Sequence, residues 1–304
     1  MLQLNITNEF SRLRAVVLGT AQSNGPTPTI EQSYDPKSAE HIQAGTYPTN
    51  EDMILEMEGL AKVFEKYQVK VYRPTQIENY NQIFSRDIGF VVENLFINAN
   101  TLSNRAREIQ ALQYVIEQIH PPRVITFPQE VHIEGGDVMP HEDYIFVGTY
   151  YGDDYSSYIT ARTNLAAVTA LQELFPEKIV KPFNLKKSNT VAHDNALHLD
   201  CCFQPIGHGR CIIHKDGFLI QEEYQWLVDF FGPDNCFNID KDEMYNMNSN
   251  IFSISEDVII SEKNFTRLNS WLLEKGYTVE EVEYAEIAKQ EGLLRCSTMP
   301  LYRD

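Results

Sequence analysis

Apolar residues recur along this chain with two alternating periods. A helical period runs through 51–67, where Met53, Met57, Leu60 and Phe64 share a face behind the cap candidates Thr49 and Asn50. The same period marks 103–119, with Leu112, Val115, Ile116 and Ile119 on one side and Ser103 as the cap. Further helices are predicted from Thr163 through Leu174, over 221–231, and over 264–275, where Phe265, Leu268 and Leu272 align. Between them lie short runs with strand character: Ala15–Leu18, Val69–Tyr72, Phe90–Ile97, Tyr144–Val147, Cys211–Ile213 and Val258–Ile260.

The alternation makes the chain α/β throughout. No Pro/Gly/Ser linker divides it, which predicts a single domain over 1–304. The helix starts, near residues 51, 103, 163, 221 and 264, form a coarse repeat with spacings of 52, 60, 58 and 43 residues. Five units of one helix plus strands suit a closed radial arrangement in which neighbours bury one another's apolar faces. Segment 20–50, rich in Pro, Gly, Thr and Tyr, falls outside the repeat and is predicted to be a long loop serving as a lid or binding loop.

Composition narrows the partners. The chain is 43% hydrophobic and 22% charged, as expected of a folded globular protein. A net charge of −18, spread along the chain, repels phosphate backbones and disfavours nucleic acid, whereas a small cation is attracted. No apolar stretch is long enough for a bilayer, so no membrane partner is expected. The opening residues MLQLNITNEF lack the features of a signal peptide. With five cysteines, an odd count, this predicts a cytoplasmic chain with free thiols. The sequence leaves a homo-oligomer open.

Four segments carry reactive groups in order: Ser85-Arg86-Asp87, Glu134-Gly135-Gly136-Asp137, His198-Leu199-Asp200, and Arg295-Cys296-Ser297-Thr298-Met299-Pro300-Leu301. The paired glycines let the backbone turn sharply and aim the flanking carboxylates. On a strand, His198 and Asp200 would point the same way. Each segment alone is commonplace: a surface ion pair, a plain turn, a structural histidine, an inert thiol. Together they follow the repeat, so corresponding loops of radial units would converge on one central pocket.

Taken together, these segments resemble the guanidino-group-modifying enzyme superfamily of arginine deiminases, amidinotransferases and dimethylarginine dimethylaminohydrolases. The opening Leu13–Thr20 is similar to the first strand of amidinotransferases, and the tail around Cys296 to deiminases. Two segments depart from the pattern: the glycine run before the cysteine is reduced to Gly292, and the Ser-Glu-Arg-Thr of many deiminases is Thr160-Ala161-Arg162-Thr163. The resemblance implies a pentein fold, a five-bladed α/β propeller of ββαβ units around a pseudo-fivefold axis. It implies Cys296 as nucleophile, His198 as general acid/base, Glu134 as the carboxylate orienting that histidine, and Asp87 and Asp200 as the pair binding the guanidinium nitrogens. Asp137 is implied as support. Arg162, Arg210 and Arg295 are the candidates for holding a substrate carboxylate.

These residue types suit the chemistry. A guanidinium is planar, cationic and resonance-stabilised, so two carboxylates must fix its plane before a thiolate can attack its carbon. The implied activity passes through a covalent thiouronium intermediate and needs no metal or other cofactor. Water as second nucleophile makes a deiminase-type hydrolase, the favoured reading; an amine makes an amidinotransferase. The rivals are a structural zinc on Cys202, His208, Cys211 and His214, and a binding protein that keeps the fold without catalysis. A papain-like protease is set aside because its cysteine signature lies near the mature N-terminus.

Overall fold

The computed structural model describes all 304 residues. Its strands form five separate three-stranded sheets, and these make the five-bladed α/β propeller. Every sheet is built the same way. Two strands pair antiparallel, a helical crossover follows, and a third strand returns parallel to the second. In chain order the complete blades comprise Gly89–Val92, Leu95–Asn98 and Val124–Thr126; Val138–His141, Tyr144–Thr149 and Ile179–Asn184; Phe203–Ile206, Arg210–Ile213 and Cys236–Asn238; and Phe252–Ser255, Val258–Glu262 and Thr278–Val282. The fifth blade closes the ring. Its first strand is the C-terminal Thr298–Arg303, which pairs antiparallel with Leu13–Leu18, and Lys70–Tyr72 then adds in parallel. Parallel neighbours need a crossover, and the five helical segments supply one per blade.

The helix Asn50–Lys66 starts where its sequence indicates, with the Thr49 hydroxyl accepting from the Asp52 amide, and it buries Met53, Met57, Leu60 and Phe64. Helices Leu165–Leu174, Gln221–Phe231 and Thr266–Glu274 match the periodicity within two residues at most ends. The expected helix 103–119 is different: it breaks into the 3-10 turns Ser103–Arg105 and Glu108–Leu112 and a single α-turn, Gln113–Ile116. Tighter turns bring Arg105 and Glu108 inward together, where both are buried. The run Phe90–Ile97 is a hairpin of two strands, turned at Glu93 with φ 51°.

Segment 20–50 is only partly a loop. Helix Pro36–Ala44 lies within it, capped by Asp35 accepting from the Ser38 amide, begun by proline and ended by left-handed Gly45. No helix is long and apolar enough to cross a membrane.

Candidate active site

The entrance to each blade's first strand delivers a polar group to the axis. Asp87 precedes Gly89–Val92, and Glu134 opens the 3-10 turn Gly135–Asp137 that leads into Val138–His141. His198 precedes the turn Leu199–Cys201, which contains Asp200 and leads into Phe203–Ile206. Asn250 precedes Phe252–Ser255, and Cys296 precedes Thr298–Arg303. All of these side chains are buried.

His198 Nε2 lies 2.8 Å from Glu134 Oε2, and its Nδ1 lies 3.7 Å from Asp87 Oδ1. Gly136 packs directly under the ring, where a Cβ would stand 2.6 Å from His198 Nδ1, so no side chain fits. Asp137 Oδ1 accepts from the Leu199 amide at 2.9 Å and so props the turn between His198 and Asp200. That turn corrects the strand expectation. Because the backbone is 3-10 there, the two side chains diverge: His198 goes to Glu134, and Asp200 to Arg295 and Cys296.

The Cys296 thiol donates toward Asp200 Oδ2 at 3.5 Å, and the Asn250 amide donates to Sγ at 3.2 Å. The Cys296 amide in turn donates to Asn250 Oδ1 at 3.1 Å. Asn250 escaped the sequence reading; its signal was positional, the same short offset before a blade's first strand as the other groups.

The electrostatics separate the groups. Burial disfavours the imidazolium of His198, but Asp87, Asp137 and Glu134 outweigh it and hold the pKa above the ordinary 6.5. Burial pushes Glu134 up, yet Arg162, His198 and Arg105 draw its carboxyl down to about 2. Burial, then Asp200 and Asp87, push the Cys296 thiol well above its ordinary 9.0. Asp200 and Asp87 therefore favour the neutral thiol over the thiolate.

The three arginine candidates are all engaged elsewhere. Arg295 is fully buried, paired to Glu9 at 3.0 Å and Asp200 at 2.9 Å, and donates to the carbonyls of Gly136 and Val138. It is a strut across the axis, with Nε, Nη1 and Nη2 all committed to protein acceptors. Arg162 donates to Glu134 at 3.2 Å, to the Tyr34 carbonyl at 2.8 Å and to the Ile159 carbonyl at 2.7 Å. Arg210 lies on a middle strand with its guanidinium on the Tyr277 hydroxyl at 3.2 Å. Arg105, unremarked in the sequence, holds Asp87 at 2.8 Å.

Asp87, Glu134 and His198 have ligand-type atoms within 4.8 Å of one another. Arg105 and Arg162 already occupy the two carboxylates at 2.8 and 3.2 Å, and two guanidinium charges so placed oppose a divalent ion. The group fits proton transfer better than metal binding. The zinc alternative is not assembled: His208 is exposed against Asp257, His214 Nδ1 meets the Ile239 carbonyl, and Cys211 Sγ lies 3.5 Å from Cys236 Sγ. All five cysteines are free.

A cavity of about 1060 Å³ lies beside this cluster, roofed by parts of segment 24–53 and walled by Phe84, Arg105 and Glu108. Arg105 belongs to both, lining the cavity while holding Asp87. Cys296 is only 2% exposed, so its sulfur is shielded from bulk solvent.

Residues 32–303 match a model of the family described as N,N dimethylarginine dimethylhydrolase, eukaryotic. The chain belongs to that family. It falls within the guanidino-group-modifying superfamily of pentein fold. The uncharacterized protein YkgA of Bacillus subtilis is 31% identical over 225 residues, covering 73% of this chain and 70% of that one. The fold is shared more widely among penteins. The N-terminal domain of ArgZ, an arginine dihydrolase from the ornithine-ammonia cycle in cyanobacteria, superposes with a TM-score of 0.78 at 16% identity, over 95% of this chain and 97% of that one. One ArgZ structure is covalently bonded to a reaction intermediate. The inosamine-phosphate amidinotransferase StrB1 of Streptomyces griseus gives 0.75 at 15% identity over 100% and 97% of the chains. The dimethylarginine dimethylaminohydrolase of Pseudomonas aeruginosa, solved with citrulline, gives 0.70 at 15% over 95% and 99%.

Proposed function

We propose that this dimethylarginine-dimethylhydrolase family member hydrolyses a guanidinium group through a covalent intermediate on Cys296. The observation that carries this reading is the convergence of a buried thiol, two carboxylates and a His–Glu pair at adjacent blade entrances. A planar cation seated between Asp87 and Asp200 would satisfy Asp87 Oδ1, which is buried without a hydrogen-bond partner. Its charge would offset the two carboxylates that keep Cys296 protonated, so substrate binding itself favours release of the thiol proton to solvent and leaves the thiolate beside an already protonated His198.

The thiolate then adds to the guanidinium carbon, forming a C–S bond and a tetrahedral centre. His198, protonated by virtue of Glu134, Asp137 and Asp87, gives its proton to the departing nitrogen as the C–N bond breaks. A thiouronium remains on the sulfur. His198, now neutral, takes a proton from water, which attacks the same carbon. The C–S bond breaks, the electron pair returns to sulfur, and a ureido product leaves. Asn250, donating to Sγ, is positioned to steady that charge.

The match over residues 32–303 to a hydrolase family supports water over an amine as the second nucleophile. A mass-resolved product assay separates the two. Incubation with arginine, N,N-dimethylarginine and agmatine, each with and without glycine or ornithine, yields a ureido product and a free amine without added acceptor if the chain is a hydrolase. Turnover only with an added amine would make it an amidinotransferase. No turnover of any guanidino compound would remove the reading.

A further inference from the structure

We propose that Cys211 and Cys236 form a reversible oxidation site, which hydrogen peroxide closes into a disulfide before it modifies Cys296. The inference stands apart from the catalytic reading and uses none of its residues.

Two strands of one blade bring the thiols together. Arg210–Ile213 pairs in parallel with Cys236–Asn238, and Cys211 is the in-register partner of Cys236. In-register residues on paired strands point to the same face, with their backbones about 4.8 Å apart. That spacing falls inside the roughly 4.4–6.8 Å between Cα atoms that a disulfide spans. The sulfurs are already in contact, the Cys211 thiol donating to Cys236 Sγ at 3.5 Å. The Cys236 thiol in turn points at the Gly232 carbonyl, 3.4 Å away, just beyond the crossover helix Gln221–Phe231. Cys236–Asn238 is an outer strand of its sheet, paired on one side only. Closing an S–S bond therefore adjusts a sheet edge and leaves the inner strands in place.

The two thiols differ as a redox pair requires. Cys236 is half-buried, whereas Cys211 is buried. The hydrogen bond from Cys211 holds Cys236 below the ordinary thiol value of 9.0, while burial and that same bond push Cys211 well above it. Cys236 is thus the sulfur that meets the oxidant, and Cys211 the one that resolves it. The other three cysteines are all buried, and burial pushes each of them upward.

The Cys236 thiolate attacks one peroxide oxygen. The O–O bond breaks, the sulfur becomes a sulfenic acid, and hydroxide leaves and is protonated to water. The Cys211 sulfur then attacks the Cys236 sulfur. An S–S bond forms, the S–O bond breaks, and the hydroxide departs with the Cys211 proton as a second water. Two thiols and one peroxide become one disulfide and two waters.

The test treats the whole folded, reduced protein with stoichiometric hydrogen peroxide, blocks the remaining thiols with iodoacetamide and maps the peptides by mass without reduction. The expected product is a linked pair of peptides holding Cys211 and Cys236, lighter than their sum by two hydrogens and returned to free thiols by dithiothreitol. It should form ~10-fold faster than any oxidation at Cys296. Cys236→Ser is expected to leave Cys211 reduced, and Cys211→Ser to stop Cys236 at a sulfenic acid that dimedone captures. The wild-type map decides even where a variant fails to fold. No linked peptide at a dose that oxidises Cys296, or Cys296 modified as fast as the pair, overturns the inference and leaves the catalytic reading untouched.

Discussion

The sulfur of Cys296 lies 3.5 Å from Asp200 Oδ2, so the thiol faces a negative charge. A thiol so placed is protonated and slow to alkylate, since reactivity belongs to the thiolate. Occupying the site with a cation should reverse this. Alkylation of Cys296 by iodoacetamide, followed by peptide mass mapping, is expected to be slow in the free protein. Asp200→Asn should accelerate it by roughly 10-fold, a gain of about one pKa unit in thiolate population. Equal rates in the two proteins would mean that Asp200 does not govern the thiol.

His198 supplies a pH signature. Its pKa is held above 6.5 by Asp87, Asp137 and Glu134 against the opposing effect of burial. The imidazolium therefore stabilises the fold fully below about 6.5, and that contribution is lost as pH rises through the raised value. As a general acid it also fails above that value, so kcat/KM should fall on the alkaline side with a pKa higher than a free histidine's. Glu134→Gln removes one of the three supporting carboxylates. The alkaline limb is expected to move to lower pH, with kcat down by roughly 10²-fold. A limb that stays in place would mean that another group is titrating.

Gly136→Ala is a subtler perturbation of the same histidine. The added methyl would stand 2.6 Å from His198 Nδ1 and 2.7 Å from Cγ, so the ring must shift away. A displacement of that size is expected to lower kcat by about 10²-fold while KM changes little. Circular dichroism and the unfolding midpoint report whether the fold survives. Wild-type kcat in Gly136→Ala would mean that the ring position is not critical.

Arg295 is expected to behave as a structural residue. Its removal leaves Glu9 and Asp200 buried without a partner. Arg295→Met should cost about 3–5 kcal/mol of stability in denaturant unfolding. A variant of near-native stability with a raised KM would instead return Arg295 to substrate binding.

The legible part of this molecule was whatever short-range pattern carries. Buried faces at Met53, Met57, Leu60 and Phe64 recur with the helical period, so the crossover helices and their fivefold count could be read from the sequence. The segments around Asp87, Glu134, His198 and Cys296 stood out because charged or nucleophilic groups sit at repeat-spaced strand entrances. Asn250 occupies the same station, but an asparagine announces no chemistry until the sulfur is seen 3.2 Å away. Long-range pairing hid the rest. Arg295 looked free to bind substrate because its partner Glu9 lies at the other end of the chain. The break in 103–119 was hidden likewise, since only the buried fork of Arg105 and Glu108, tied to Asp87, explains tighter turns there. Helix Pro36–Ala44 was readable in principle from Asp35-Pro36 at its start and Gly45 at its end, signals outweighed by the loop-like composition around them.

The central claim is that Cys296 bonds covalently to the guanidinium carbon. Acid-quenched mass spectrometry during turnover, with peptide mapping, measures this directly. The account predicts an amidino-type adduct on the peptide containing Cys296, released as the ureido product, and neither adduct nor turnover in Cys296→Ser. Full activity in a folded Cys296→Ser protein would contradict it.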